Sequence, residues 1–506
     1  MSLDQLLYID GELVPSVSGK SYQSLNPATG QPIATVPWAE AQDCELAIDA
    51  ARRAFDRGNW RDADPGDRAK MLEKLAAGLK ERAEDIALSE TRDAGALIGK
   101  AHTDVALAAS QLRQFARMAA AFNTEPEPIE GMQKPGRSFA YRVRQPIGVA
   151  AGIIPWNFPL NMAIWKIGQA LATGNTLVLK CAPETPLTAL KLGEIAREAG
   201  LPAGVLNIIT GDVEVGETLV RSPKVDKLSF TGSTEIGQRV MSEAAATMKR
   251  VTLECGGKSA NIVLDDADRE MAIDGALYAT FFHSGQVCES GTRLMLSKAK
   301  HDDFVEALVE RARGLKVGDP MDPETNIGPI ISEKQRDRIR KYIEIGKFEG
   351  ATLALGGDEP KIEGLEGGWF VNPAIFTNVN NDMRIAREEI FGPVLSVLAY
   401  EDQAEAIRLA NDSDYGLAAG VWSADEDAAM DIASRLDAGW VWINEWHILS
   451  PLAPFGGFKR SGIGREFGEE GLNAYTEVKT IYRDDIGNRA GKPWYDVVVP
   501  ARPLAD

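Results

Sequence analysis

The 506-residue sequence is poor in the residues that build metal and disulfide sites, with four cysteines and four histidines. Cys44, Cys181, Cys255 and Cys288 are scattered and form no C-x-x-C pair, which excludes a disulfide framework and a thiolate metal centre. His102, His283, His301 and His447 are too few for a His-rich zinc site, so no metal is expected. Basic residues are also scarce: 55 Lys and Arg stand against 74 Asp and Glu, a net charge of -19. That balance excludes nucleic acid and anionic membranes as partners, since both need a basic surface. No stretch approaches the roughly eighteen apolar residues of a membrane span. The opening MSLDQLLYID lacks a basic region followed by an apolar run, so a cytoplasmic address is expected. The G-x-G-x-x-G fingerprint of dinucleotide sites occurs nowhere. Its nearest look-alike, Gly462 to Gly468, has the wrong spacing.

What is present reads as two or three globular domains, with 44% hydrophobic and 25% charged residues. Residues 1 to 36 hold short apolar runs broken by Gly11, Asn26-Pro27 and Gly30, the pattern of hairpins or edge strands. Apolar residues at spacings of three and four then predict helices from Glu40 to about Phe55 and from Asp67 to about Arg92, with Asp67 as cap, and an Ala-rich helix from about Ala96 to Phe122. Residues 124 to 146 break this trend with Pro126, Pro128, Gly131, Pro135 and Gly136, followed by an alternating strand from Ser138 to Arg144. Such an arm is too small to fold alone and is read as a bridging or oligomer-forming element that pairs with another edge.

From Gly148 short β-branched runs alternate with helical stretches, which predicts a parallel sheet covered by helices, with ligands at the carboxyl ends of its strands. A second α/β pattern runs from Lys258 to about Gly462. The expected fold is therefore α/β: two Rossmann-like parallel-sheet domains plus a small β element. Residues 1–123 and 147–257 would bind a dinucleotide, 258–462 would be catalytic, and 124–146 with 475–506 would bridge subunits.

Five stretches and one cysteine stand out as chemistry. Cys288 lies in F-F-H-S-G-Q-V-C-E-S-G-T-R among small residues, a seat for a nucleophile and equally for a buried core thiol. Asn157, in I-I-P-W-N-F-P-L, is either an oxyanion donor or an amide satisfying a turn. In F-T-G-S-T-E-I-G a strand turns at Gly232-Ser233 into a helix whose N-terminus suits a phosphate, or is simply capped. Glu254, in L-E-C-G-G-K, is a desolvated general base or a salt-bridged strand end. Lys180 ends the strand T-L-V-L-K, and Glu389 and Phe391 precede a Gly-Pro turn.

Taken in this order, these stretches resemble the aldehyde dehydrogenase superfamily, specifically its hydrolytic NAD(P)-dependent branch. The resemblance extends from N-P-A-T-G at Asn26 to P-F-G-G-F-K-R-S-G-I-G-R-E at Pro454 to Glu466 and T-E-V-K-T near Lys479. It implies an enzyme in which Cys288 is the nucleophile, Glu254 the base and Asn157 the oxyanion donor, acting through a thiohemiacetal and a thioester. NAD, with NADP left open, would be held by Ile153, Pro155, Trp156, Lys180, Gly211, Phe230, Gly232, Ser233, Leu253, Gly256, Glu389 and Phe391. The aldehyde would lie against Phe158, Asn161, Met162, Trp165, Phe282, Val287, Glu289, Trp446, Leu449 and Phe455. A homodimer or homotetramer is implied by the same analogy.

Three residues depart from the family pattern as it is understood: His283, where Asn is usual; Glu289, directly after the cysteine; and Pro183, where NAD-preferring members carry a glutamate that Glu184 partly replaces. The aromatic and apolar lining, without an arginine for a carboxylate, predicts medium-sized hydrophobic or aromatic aldehydes. Cationic aminoaldehydes of the betaine-aldehyde type, held by Trp165 or Trp446 and by Glu289, are the rival class. A thiol esterase using Cys288 and His283 would leave the Lys180 and Ser233 motifs idle, and the three intact catalytic positions argue against a silent binding or structural homologue.

Overall fold

In the computed structural model, which describes residues 4–499, two largely parallel sheets form the body of the molecule. The first takes the β-branched runs: Val149–Ile153, Thr176–Lys180, Leu206–Ile209, Lys227–Thr231 and Arg250–Glu254 pair in parallel. Across the sheet they run third, second, first, fourth, fifth, so the order reverses between Val149–Ile153 and Lys227–Thr231. A crevice opens at such a reversal, because the two loops leave in opposite directions. Thr176–Lys180 and Lys227–Thr231 are buried at every residue, as strands covered on both faces must be. The helix Pro159–Ala172, with proline at its first position, is buried along its whole length.

The second sheet holds Ala260–Val263, Arg293–Ser297, Ala374–Thr377, Val394–Tyr400, Ala418–Trp422 and Trp440–Ile443 in parallel, with Thr352–Leu355 antiparallel at one edge. The segments it turns towards the first sheet precede strands: residues 255–259, 288–292 and 389–393. The carboxyl edge of one sheet thus faces the amino edge of the other. The chain finally returns to the first sheet, where Gly462–Ile463 pairs with Leu253 and Glu254. Phe467, Leu472 and Tyr475 then join the first core.

The structure departs from the sequence expectations in two places. The expected helix from Asp67 to Arg92 is two helices, Pro65–Glu81 and Ala83–Ala94. Asp64 rather than Asp67 caps the first, accepting from the Gly66 N–H at 2.7 Å. Arg82 stands at the break, held by ion pairs to Glu194 and Glu198, a tertiary cause that periodicity cannot show. The arm and the tail, expected together as one bridging element, pair with one another: Thr476–Asp484 lies antiparallel to Ser138–Pro146, which also carries Glu127–Pro128. Residues 500–506 of the tail element lie outside the described residues. Among the described residues no helix is long and apolar enough to cross a membrane.

Candidate active site

A cavity of about 920 Å³ lies between the two sheets, and Glu254 and Cys288 both line it. Glu254 ends its strand, and the Gly256-Gly257 pair after it lets two other segments close in. A Cβ on Gly257 would stand 2.6 Å from the Cys288 carbonyl oxygen, and one on Gly256 would overlap the Glu389 carboxylate. Cys288 reaches this point by a left-handed turn at the end of the helix Arg269–Phe281. His283, Ser284 and Gly285 have φ of +50°, +57° and +70°. Only glycine adopts that region freely, so the turn is strained and must be held by its surroundings. Three hydrogen bonds hold it: Ser284 Oγ donates to the Gly328 carbonyl at 2.9 Å, Gln286 Nε2 donates to the Pro329 carbonyl at 3.3 Å, and the Ile331 N–H donates to Gln286 Oε1 at 3.0 Å.

The thiol sits in an unfavourable place for a negative charge. Burial pushes it well above the usual thiol range, and the neighbouring Glu289, Glu389 and Glu254 carboxylates push it further. Its hydrogen donates to Glu289 Oε2 at 3.0 Å, and the other Glu289 oxygen lies 3.2 Å from His447 Nδ1. Burial acts to raise the Glu289 carboxyl, but its bonds to His447 and to the thiol hold it below the usual carboxylate range. Both oxygens of Glu254 are buried without a hydrogen-bond partner. Burial, then the charge of Glu466, lifts this carboxyl well above its usual range, as a general base requires.

Asn157 also lines the cavity, and one of its amide hydrogens is used on the Gln286 carbonyl at 2.9 Å. The second has no partner among the described residues. Pro155, Trp156, Gly232, Ser233, Gly256, Glu389 and Phe391 line the same cavity. Phe391, at φ +61°, turns its ring edge-on to Trp156 with centroids 5.2 Å apart. Glu389 accepts the Gly257 N–H at 3.1 Å and is raised by burial to about 7. Ser233 caps the helix Thr234–Ala244, its Oγ 3.4 Å from the Ile236 N–H.

Ile153, Lys180, Gly211, Phe230 and Leu253 lie outside the cavity lining, at or next to the carboxyl ends of the five parallel strands. Among the described residues the Lys180 ammonium donates only to its neighbour's carbonyl, Cys181 O at 3.2 Å, and burial lowers it. Of the expected aldehyde contacts, Phe158, Asn161, Met162, Trp165, Phe282, Glu289, Leu449 and Phe455 line the cavity. Val287 and Trp446 do not, and that expectation is corrected. Val287 points into the protein at 3% exposure. Trp446 is fully buried behind the cavity wall, its indole N–H donating to the Glu289 carbonyl at 3.2 Å. His283 also stays out of the cavity, packed on Phe158 with its ring held neutral by burial.

Comparison with known proteins bears on this arrangement directly. The model of the family described as "Aldehyde dehydrogenase family" matches residues 13–481. The chain belongs to the aldehyde dehydrogenase family. It is 46% identical to the protein DhaS of Bacillus subtilis over 478 residues, 94% of this chain and 95% of that one. It is 43% identical to a betaine aldehyde dehydrogenase of the same organism, over 95% of this chain and 98% of the other. The crystal structure of a Staphylococcus aureus betaine aldehyde dehydrogenase in complex with NAD+ superposes with a TM-score of 0.93 at 41% identity, covering 96% of each chain. The resemblance carried by the sequence motifs is thereby established across nearly the whole chain.

This aldehyde dehydrogenase also contains groups at the site that sequence reading passed over. Lys166, on the buried helix, donates to Thr231 Oγ1 at 2.8 Å and is ion-paired to Glu466, which accepts Ser229 Oγ at 2.9 Å. This network acts on Glu254 with two signs: Glu466 raises it and Lys166 lowers it. Glu466 lies in the quoted P-F-G-G-F-K-R-S-G-I-G-R-E stretch, so the motif was visible but not its reach across the fold. His447 gave no signal beyond standing next to Trp446.

Proposed function

We propose that the chain oxidises a medium-sized hydrophobic or aromatic aldehyde to the carboxylic acid with NAD, in three steps shared among Cys288, Asn157 and Glu254. Residues 1–123 and 147–257 would hold the dinucleotide, and 258–462 would carry the nucleophile. The fit to a dinucleotide rests on the capped helix at Ser233, the buried Lys180 ammonium bonded to the Cys181 carbonyl beside the strand ends, and the Trp156 and Phe391 rings that line the same cavity as Cys288. NAD, when bound, accepts hydride on its nicotinamide ring. NAD is preferred to NADP because the carboxylates of Glu184 and Asp212 act on Lys180, where a 2′-phosphate would have to sit.

Cys288 sulfur bonds to the aldehyde carbon, and the oxygen that gains the charge meets the free Asn157 N–H. After hydride loss the acyl group remains on Cys288 as a thioester. Glu254, whose raised carboxyl lines the cavity, then takes a proton from the water that attacks it. The single observation that carries this reading is the orphaned, buried Glu254 carboxylate in one cavity with Cys288. Glu254→Gln should give one rapid burst of reduced dinucleotide per active site and then stall. Continued turnover at the native rate would sink the assignment.

The substrate class follows from the walls. Phe158, Trp165, Phe282 and Leu449 are apolar, and of the carboxylates in the lining Asp104 is paired with Lys100 and Glu289 with His447. A second reading, a cationic aldehyde of the betaine type, is favoured by Tyr278, on which Glu445, Glu289 and Asp104 all act. Comparing kcat/KM for an aliphatic aldehyde and a trimethylammonio aldehyde decides between them. Ester turnover in the absence of any dinucleotide, and no aldehyde oxidation with it, would instead leave the thiol esterase. A cytoplasmic address accords with four free thiols, and assembly as a dimer or tetramer with the exposed strand Thr476–Asp484.

A further inference from the structure

Glu254, Glu289 and Glu389 line the cavity with Cys288, and their surroundings differ: Glu389 accepts the Gly257 N–H. Among the described residues the Cys288 thiol makes one hydrogen bond, to Glu289 Oε2 at 3.0 Å. Glu254 has no hydrogen-bond partner among the described residues. Glu289 is itself fixed from three directions. Its second oxygen meets His447 Nδ1 at 3.2 Å, its carbonyl takes the Trp446 indole N–H, and it is 7% exposed. His447 is held in turn, at φ +63° and between the Tyr278 and Phe282 rings, with centroids 5.3 and 5.0 Å away. These partners keep the buried Glu289 carboxyl below its usual range, whereas burial lifts the unpartnered Glu254 above it.

We propose that Glu289, oriented by His447, is the base that takes the Cys288 proton during attack on the aldehyde, leaving Glu254 to serve only the hydrolytic step. The S–H bond breaks and an O–H bond forms on Glu289 Oε2. The sulfur electron pair forms the S–C bond, and the carbonyl π pair moves onto the oxygen that Asn157 receives. The proton leaves Glu289 for the water of the cavity once the thioester has formed. The titratable groups facing this pair are His447, Tyr278, Glu254, Glu389 and, beyond Tyr278, Glu445 and Asp104. This division of labour rests on the reaction proposed above.

The test measures the pre-steady-state burst of reduced dinucleotide with NAD and an aliphatic aldehyde, and separately the alkylation of Cys288 by iodoacetamide, which needs no aldehyde chemistry. A burst in the native enzyme and in Glu254→Gln checks the underlying reaction, so its failure is distinguishable from failure of the present inference. In Glu289→Gln the burst should slow about 100-fold at neutral pH, the loss typical of a missing base. Its rate should rise about tenfold per pH unit as hydroxide takes over, and alkylation at pH 7 should slow about tenfold. If Glu289→Gln is alkylated as fast as the native enzyme, or faster, the carboxylate merely opposes the thiolate and the proposal is overturned. An undiminished burst overturns it as well. Glu289→Asp, one methylene short of the sulfur, and His447→Gln, which frees the carboxylate, carry the same test if the glutamine variant does not fold, with melting and NAD binding as controls. Both are expected to slow the burst.

Discussion

The carbonyl oxygen of Cys288 lies 2.6 Å from the point where a Cβ on Gly257 would stand. The Cys288 backbone is therefore seated against the glycine pair that follows Glu254, and this contact sets how the two sheets meet at the site. Gly257→Ala should push the Cys288 loop outward. A displacement of about 1 Å at a reacting atom costs on the order of 100-fold in rate, while overpacking costs about 1–3 kcal/mol in stability. Steady-state kinetics alongside a denaturation curve check this, and an alanine variant with native kcat would mean the loop is not held there.

The buried pair of Lys166 and Glu466 yields a prediction with two signs. Lys166 lowers Glu254 and Glu466 raises it. In Glu466→Gln the acid limb of the pH profile for thioester hydrolysis should therefore move to lower pH, because Glu254 ionises sooner. In Lys166→Met it should move to higher pH. The lysine variant should also lose about 3–5 kcal/mol, since it strands a buried carboxylate. Hydrolysis rates across pH for both variants check the pair, and shifts in the same direction would refute the assignment.

Much of this site was legible because its parts are local. Glu254 with its glycines, the Gly232-Ser233 turn and the Cys288 stretch each announce a strand end or a tight loop within a few residues. The parallel sheets followed from runs of β-branched residues. What stayed hidden depends on distance along the chain. Lys166 and Glu466 are 300 residues apart, and each alone reads as an ordinary charge. The family resemblance puts Trp446 against the aldehyde, yet the chain after Trp440–Ile443 folds it behind the wall, where its indole N–H meets the Glu289 carbonyl. The break at Arg82 is likewise set by carboxylates more than 100 residues away.

Two buried carboxyls govern stability rather than catalysis. Glu90 accepts the Leu160 N–H and the Thr188 hydroxyl, and Asp93 accepts the Leu187 N–H and the Ser24 hydroxyl, each tying a helix start to Ala83–Ala94. Burial raises them, Glu90 to about 8 and Asp93 to about 7. Both are protonated more readily in the folded chain than in the unfolded one, so their contribution is complete below the unfolded pKa and is lost as pH rises to 7 and 8. Chemical denaturation should show stability falling between about pH 5 and 8. Glu90→Gln, which keeps a neutral group in place, should flatten that fall, and an unchanged slope would count against the burial argument.

Cofactor choice turns on the charges around Lys180. Glu184 is exposed and Asp212 caps the helix Val213–Arg221, and both act on the buried Lys180 ammonium. A 2′-phosphate brought to that lysine would meet two carboxylates, and at water-like screening each repels it by about 1 kcal/mol at contact. Glu184→Gln should therefore raise kcat/KM for NADP about fivefold, the equivalent of that energy, and change the NAD value little. The ratio of the two, measured at low and high salt, is the readout. The gain should shrink at high salt, because Glu184 is a solvent-facing charge and its repulsion is screened beyond about 10 Å at 0.1 M. A gain independent of salt would point to shape rather than charge as the determinant.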